Sequence, residues 1–190
     1  MDKEYFEGED FKNQSYTKEY LAKGDYENCT FNNCVFANSD LSEVNFVECI
    51  FKNCDFSNAK INNTSFKDVK FKSCKLLGLH FNDCNPFLLA LDFESCILNF
   101  SSFYKLNLKN TSFKECKLED VDFIESNLKN AVFTNSDMQG AKFENSDLKN
   151  ADFTCSFNYS INPEANKVAN AKFSLEGLPG LLDNYNIIIE

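Results

Sequence analysis

The sequence predicts an all-β fold: a right-handed quadrilateral (square) parallel β-helix solenoid, with a short C-terminal α-helix and a terminal strand. Two periods carry that expectation. Taken every fifth residue, the chain reads Phe6, Phe11, Tyr16, Leu21, Tyr26, Phe31, Phe36, Leu41, Phe46, Phe51, Phe56, Ile61, Phe66, Phe71, Leu76, Phe81. The register slips by two residues across Asn82 to Phe87, then resumes as Leu88, Phe93, Leu98, Phe103, Leu108, Phe113, Leu118, Phe123, Leu128, Phe133, Met138, Phe143, Leu148, Phe153. Every one of these positions is large and apolar. Helices repeat at about 3.6 residues and strands at about 2, so a period of five fits neither.

A second position accompanies the first. Two residues before each large side chain sits a small one, as at Cys29, Cys34, Ser39, Val44, Ala131, Ser136 and Ala141. Two inward residues separated by one outward residue describe a short extended segment followed by a turn. A chain that turns the same way every five residues closes a square after four units. The longer period agrees: steps of twenty give Leu88, Leu108, Leu128, Leu148 on one side and Phe93, Phe113, Phe133, Phe153 on the next. Such columns fill a solenoid interior without voids. At about 4.8 Å between stacked strands, about seven and a half coils make a rod roughly 36 Å long.

The nine cysteines follow the same scheme. Cys29, Cys34, Cys49, Cys54, Cys74, Cys84, Cys96 and Cys116 occupy the small inward position, and only Cys155 does not. No CxxC occurs, and a free cysteine packs as a small apolar residue, so neither disulfides nor zinc are expected. A reducing compartment follows.

The chain divides into a repeat body, 4–157, with the register break at 82–87, and a C-terminal cap and dimerisation segment, 158–190. Asn162-Pro163-Glu164 reads as the start of a helical turn, and Ala171-Lys172-Phe173 as one more repeat fragment. Leu175, Leu178, Leu181, Leu182 and Tyr185 then fall at helical spacing behind Ser174 as a cap, although Pro179 and two glycines weaken that helix. Ile187-Ile188-Ile189 reads as a strand. A solenoid end needs a cap. The surplus of apolar residues here also suits a two-fold interface through Leu175, Leu178, Leu181, Leu182, Tyr185, Ile187 and Ile189.

Nothing points to catalysis or a cofactor. His80 is the only imidazole, at an outward position. No phosphate loop, HExxH or GxSxG motif occurs, and a filled rod offers no concave site. The net charge of −10, with 19 lysines and no arginine, argues against direct nucleic-acid binding. No apolar run is long enough to span a membrane. The acidic start Met1-Asp2-Lys3-Glu4 lacks a signal-peptide core, which reads as cytoplasmic.

Charge varies along the rod: residues 24–59 sum to −5, residues 60–114 to +4 and residues 115–152 to −5. Outward acids are ordinarily a solvated face. They also form a candidate surface for a basic partner: Asp40, Glu43, Glu48, Asp55, Glu119, Asp120, Asp122, Glu125, Asp137, Glu144, Asp147 and Asp152.

The units Asn38-Ser39-Asp40-Leu41-Ser42, Ala131-Val132-Phe133-Thr134-Asn135 and Asn150-Ala151-Asp152-Phe153-Thr154 resemble the A(D/N)LxX consensus of the pentapeptide-repeat family. Over nearly its whole length the chain is similar to that family's Qnr-type, topoisomerase-interacting branch. The resemblance implies a homodimeric rod joined at its C-termini, with acidic faces that imitate duplex DNA. Such a rod would bind type II topoisomerase (DNA gyrase or topoisomerase IV) and modulate it or protect it from quinolones. The other reading is a generic protein–protein interaction scaffold with no topoisomerase link. The lysine-rich middle and the absence of long projecting loops depart from the strongly protecting members.

Overall fold

A computed structural model describes residues 4–185 together with Ile187 and Ile188. The chain winds as a parallel β-solenoid of four sides. Strands Glu4–Glu7, Gly24–Glu27, Asn45–Val47 and Ser65–Lys67 stack into one sheet. A second sheet stacks Asp10–Lys12, Thr30–Asn32, Ile50–Lys52, Val69–Lys72, Leu91–Glu94 and Ser112–Lys114. The remaining sides are held by single parallel bridges, most between residues twenty apart, such as Ser15↔Val35 and Ser102↔Asp122. Backbone groups are satisfied coil to coil: Phe113 N donates to Val132 O at 2.8 Å, and Val132 N donates to Thr111 O at 3.1 Å.

The interior is built of columns. Side one carries Tyr26, Phe46 and Phe66, then Leu108, Leu128 and Leu148, all buried. Side two is phenylalanine throughout, from Phe11 to Phe173, with successive rings stacked at 4.6 to 5.5 Å. Side three runs Tyr16, Phe36, Phe56, Leu76, Leu98, Leu118, Met138; side four runs Leu21, Leu41, Ile61, Phe81, Phe103, Phe123, Phe143. Each fully buried Phe contributes about 1.5–3 kcal/mol. Phe6 and Phe11 are only half-buried, because no coil covers the first.

The small inward position carries groups that can donate to a carbonyl. Ser136 Oγ donates to Phe113 O at 3.0 Å, and Cys74 Sγ lies 3.4 Å from Phe51 O. Eight cysteines are buried and free, and Cys155 is exposed and free, as the repeat predicts. Five of them, Cys34, Cys54, Cys74, Cys96 and Cys116, form one column that Ser136 continues.

The square corners follow a rule of their own. Two residues after most of the large side chains the backbone turns left-handed, with φ between 52° and 71°. Among the described residues fourteen of the twenty-five non-glycine cases are asparagine, the side chain that best tolerates this region.

That rule corrects the reading of the break. Ser65 pairs with Asn85, twenty residues on, but Val69 pairs with Leu91, twenty-two on. The two extra residues therefore lie between Asn85 and Leu91. Leu88 is not the first inward residue of the new register. It occupies a left-handed corner (φ 57°) and is 64 % exposed, beside Phe87 at 65 %. The new register begins with buried Leu91 and Phe93.

The repeat ladder also runs past 157. Asp147 bridges to Lys167, Lys172–Phe173 pairs with Asp152–Phe153, and Phe173 stacks on Phe153. The expected C-terminal α-helix is instead two short 3₁₀ turns, Leu178–Leu181 and Asp183–Tyr185. Pro179 sits in the first turn, which blocks an α-helix from extending back through it. Gly177 and Gly180 lie so close to Tyr159 that a Cβ would fall 1.9 Å from its hydroxyl oxygen and 2.1 Å from its carbonyl oxygen. Ser174 does cap this segment, its Oγ accepting from Gly177 N at 3.1 Å. Ile187 and Ile188 form no strand, and the rest of the expected strand lies outside the described residues.

Candidate protein-interaction surface

The twelve candidate acids fall on all four sides of the rod. Six sit one residue before an inward side chain: Asp40, Asp55, Asp122, Asp137, Asp147 and Asp152. Each accepts the backbone N–H two residues on, at 2.8 to 3.3 Å. These carboxylates shape the turns of the solenoid. The bond to Ser42 holds the Asp40 carboxyl below the ordinary carboxylate range, with Lys23 and Lys60 adding to the effect. The bond to Thr154 does the same for Asp152, which also pairs with Lys172 at 3.4 Å.

Several of the acids are neutralised within the chain. Asp55 pairs with Lys75 at 3.6 Å, Glu43 with Lys23 at 3.7 Å and Glu125 with Lys105 at 3.4 Å. Lysines of the basic middle are drawn into the same pattern. Lys72 and Lys114 both reach Glu94, at 3.0 and 2.8 Å, and hold its carboxyl down to about 2. The other lysines of that stretch spread over all four sides, so the middle is not a belt of free positive charge.

One group of acids does come together. Glu119 and Asp120 end side three of one coil, and Asp122 and Glu125 continue across the corner onto side four. Asp137 and Glu144 lie on the same two sides of the next coil. Glu119 accepts from Asn99 Nδ2 at 2.8 Å, and Asp137 from Asn158 Nδ2 at 2.8 Å. The Asp120 carboxylate lies over Gly140, the one residue type that leaves it room. Asp40, Glu43 and Asp55 share these sides several coils away. Glu48 and Asp147 lie on side one and Asp152 on side two, so they do not join the group.

At the C-terminal end Leu175, Leu178, Leu182, Tyr185 and Ile187 are exposed, with Ile188 beside them. Leu181 instead packs against the core. Ile189 lies outside the described residues. Tyr185 Oη donates to Glu164 at 2.9 Å, which ties the segment back to the last coil. His80 is exposed on side four, bridged to Ser102. Among the described residues no group of three or more His, Cys, Asp or Glu could hold a metal ion, and no helix is long and apolar enough to cross a membrane.

A family model described as a pentapeptide repeat region matches residues 25–86 and 89–160, on either side of the break. The chain belongs to the pentapeptide-repeat family. A search of curated protein sequences finds no match. Among solved structures the repeat rod is similar to a trypsin-treated form of QnrB1, a plasmid-mediated fluoroquinolone resistance protein. That match has a TM-score of 0.55 at 20 % identity and covers 98 % of this chain and 92 % of that one. It is also similar to HetL, a pentapeptide repeat protein involved in heterocyst differentiation regulation from the cyanobacterium Nostoc. Here the TM-score is 0.51 at 14 % identity, covering 91 % of this chain and 87 % of that one. Both likenesses are of fold, and two proteins of different roles sharing one rod show that the rod alone does not decide function.

The asparagine corners were open to reading from the sequence, since asparagine recurs two places after many of the large side chains. The turn-forming role of half the acids had a signal too: aspartate or asparagine directly before an inward residue, as in Asp122-Phe123 and Asn127-Leu128. The ion pairs had a weaker one, lysine and acid about one coil apart.

Proposed function

We propose that this pentapeptide-repeat protein is a non-enzymatic mimic of duplex DNA that binds type II topoisomerase, gyrase or topoisomerase IV, and modulates it or protects it from quinolones. The observation that carries the reading is the acidic edge between sides three and four, where Glu119, Asp120 and Asp122 follow one another around a single corner, with Glu125, paired to Lys105, at the next. A rigid rod bearing fixed carboxylates presents a basic groove with the field it meets along a phosphate backbone. Two rods of about 36 Å joined at their C-termini would span about 70 Å, or about 20 base pairs at 3.4 Å each. The exposed Leu175, Leu178 and Ile187 supply an apolar end for that junction. The fold shared with QnrB1 supports the reading in kind.

The alternative is an interaction scaffold for another partner; HetL, of similar fold, is described as involved in heterocyst differentiation regulation. A supercoiling assay with purified gyrase, with and without a quinolone, separates the two. Inhibition, or relief of quinolone poisoning, is expected. No effect at stoichiometric excess overturns the topoisomerase reading.

A further inference from the structure

Side one of the rod sets lysines in succession along its outward column instead of alternating them with acids from coil to coil. Along its outward column the residues are Glu7, Glu27, Val47 and Lys67, each paired with the next at a spacing of twenty. Phe87 follows in the coil of the break, and the column continues as Lys109, Lys129 and Lys149. At the adjoining corner Glu48 and Asp68 give way to Asn110, Asn130 and Asn150. The face is therefore acidic at one end, apart from Lys67, and basic at the other, apart from Asp147.

Elsewhere lysines are set one coil from an acid, as in Lys75–Asp55 and Lys114–Glu94. Among the described residues no ion pair joins two residues of side one. Lys109, Lys129 and Lys149 leave backbones stacked about 4.8 Å apart, three like charges in successive coils. Asparagine ladders flank the lysines: Asn127 Nδ2 donates to Asn107 at 2.9 Å, and Asn130 Nδ2 to Asn110 at 2.9 Å. At the midpoint the chain exposes its apolar pair, Phe87 and Leu88, the latter on a left-handed corner.

We infer that side one is a self-complementary interface that joins two copies of this chain side by side and antiparallel, about a two-fold axis at Phe87. The assignment rests on symmetry. A two-fold axis lying across the face at Phe87 sets each coil above it against the equivalent coil below it on the partner copy. Lys149, three coils (about 14 Å) past Phe87, then meets Glu27, three coils before it. Lys129 comes opposite Val47 with Glu48 alongside, Lys109 opposite Lys67 with Asp68 alongside, and Lys167 opposite Tyr5 with Glu7 alongside. Asp147 opposite Asp25 is a like-charge pair that these contacts offset. The exposed Phe87 and Leu88 meet their own copies at the centre, where a two-fold contact needs an apolar core inside a polar rim. This contact is separate from the C-terminal one and stands whether or not the partner of the acidic edge is a topoisomerase.

The test uses the full chain with Cys155→Ser, so that no other exposed thiol interferes. Phe87→Cys in that background should cross-link to its own copy with a short bis-maleimide, because the two residues meet at the axis. In a dimer joined only at its C-termini these residues stand tens of ångströms apart. By sedimentation velocity, Lys149→Glu should weaken the side-by-side association about 100-fold by setting like charges together twice. Adding Glu27→Lys to Lys149→Glu should restore it, and 1 M salt should weaken the unmodified protein, with a screening length of about 3 Å. Absence of the Phe87→Cys cross-link, or an association indifferent to charge reversal, overturns the proposal. Capture of an unrelated acidic macromolecule by a side one that stays monomeric overturns it as well.

Discussion

Up to Ile61 three adjacent sides of the core are aromatic and the fourth is aliphatic; beyond the register break Phe lies on two opposite sides and Leu, with Met138, on the other two. Side three changes from Phe56 to Leu76 and side four from Ile61 to Phe81, in successive quarter-turns. One large-to-small exchange offsets one small-to-large exchange, so the filled volume is kept through the change of pattern. Two columns stack straight across the break: Phe71 on Phe93 in side two at 5.5 Å and 10°, and Phe81 on Phe103 in side four at 4.6 Å and 7°. The extra residues are expelled at the corner between sides one and two, and the core closes beneath them. Both columns tie the halves together, and of the two only side two is aromatic along the whole rod, from Phe11 to Phe173.

The largest effect should come from cutting that column. Phe93→Ala removes the ring shared by both halves and should cost about 4 kcal/mol in denaturant-induced unfolding. If the halves are one unit, the transition stays single. Two separated transitions would show that they are independent domains.

Alkaline pH should come next. Burial pushes the Cys49 and Cys84 thiols up to about 12 from an ordinary 9.0. The folded chain keeps protons that the unfolded chain has lost, so stability is intact below about 9 and falls as pH rises toward about 12. Each such thiol contributes a slope of about 1.4 kcal/mol per pH unit. Cys49 lies before the break in the column pattern and Cys84 at it, so Cys49→Ala and Cys84→Ala should each flatten the alkaline limb.

A smaller change tests the break itself. Leu88→Gly removes a branched side chain from a left-handed corner and should raise stability by about 1 kcal/mol, whereas Asn130→Ala at a regular corner should lower it by about as much. Equal destabilisation by both would contradict the assignment of Leu88 to a corner. The smallest perturbation is thiol counting. One cysteine, Cys155, should react quickly with an aromatic disulfide in the native protein, and all nine only after unfolding.

How far the sequence could be read depended on which way a side chain points. Inward residues answer to a packed interior, which admits few alternatives, so the Phe and Leu columns and the buried cysteines were legible one by one. Leu88 was misplaced because an apolar residue at the right phase looks inward. What marked it otherwise was that nothing small and inward precedes it by two: that place holds Pro86. The C-terminal leucines mimic an amphipathic helix, but Gly177, Pro179 and Gly180 fit the surface of Tyr159, a contact that no local pattern announces. The acids were least legible. A carboxylate at an outward position can form a turn, pair with a lysine one coil away or face a partner, and only the stacked coils show which.

The central claim is that the acidic edge stands in for DNA, and a competition measurement tests it most directly. Labelled duplex of about 20 base pairs bound to gyrase is titrated with the full-length protein, beside a variant carrying Glu119→Lys and Glu125→Lys. The account predicts that the unmodified rod displaces the duplex and that the variant does so at least tenfold less well. A rod that binds gyrase without displacing the duplex, or a variant that competes equally, would contradict it.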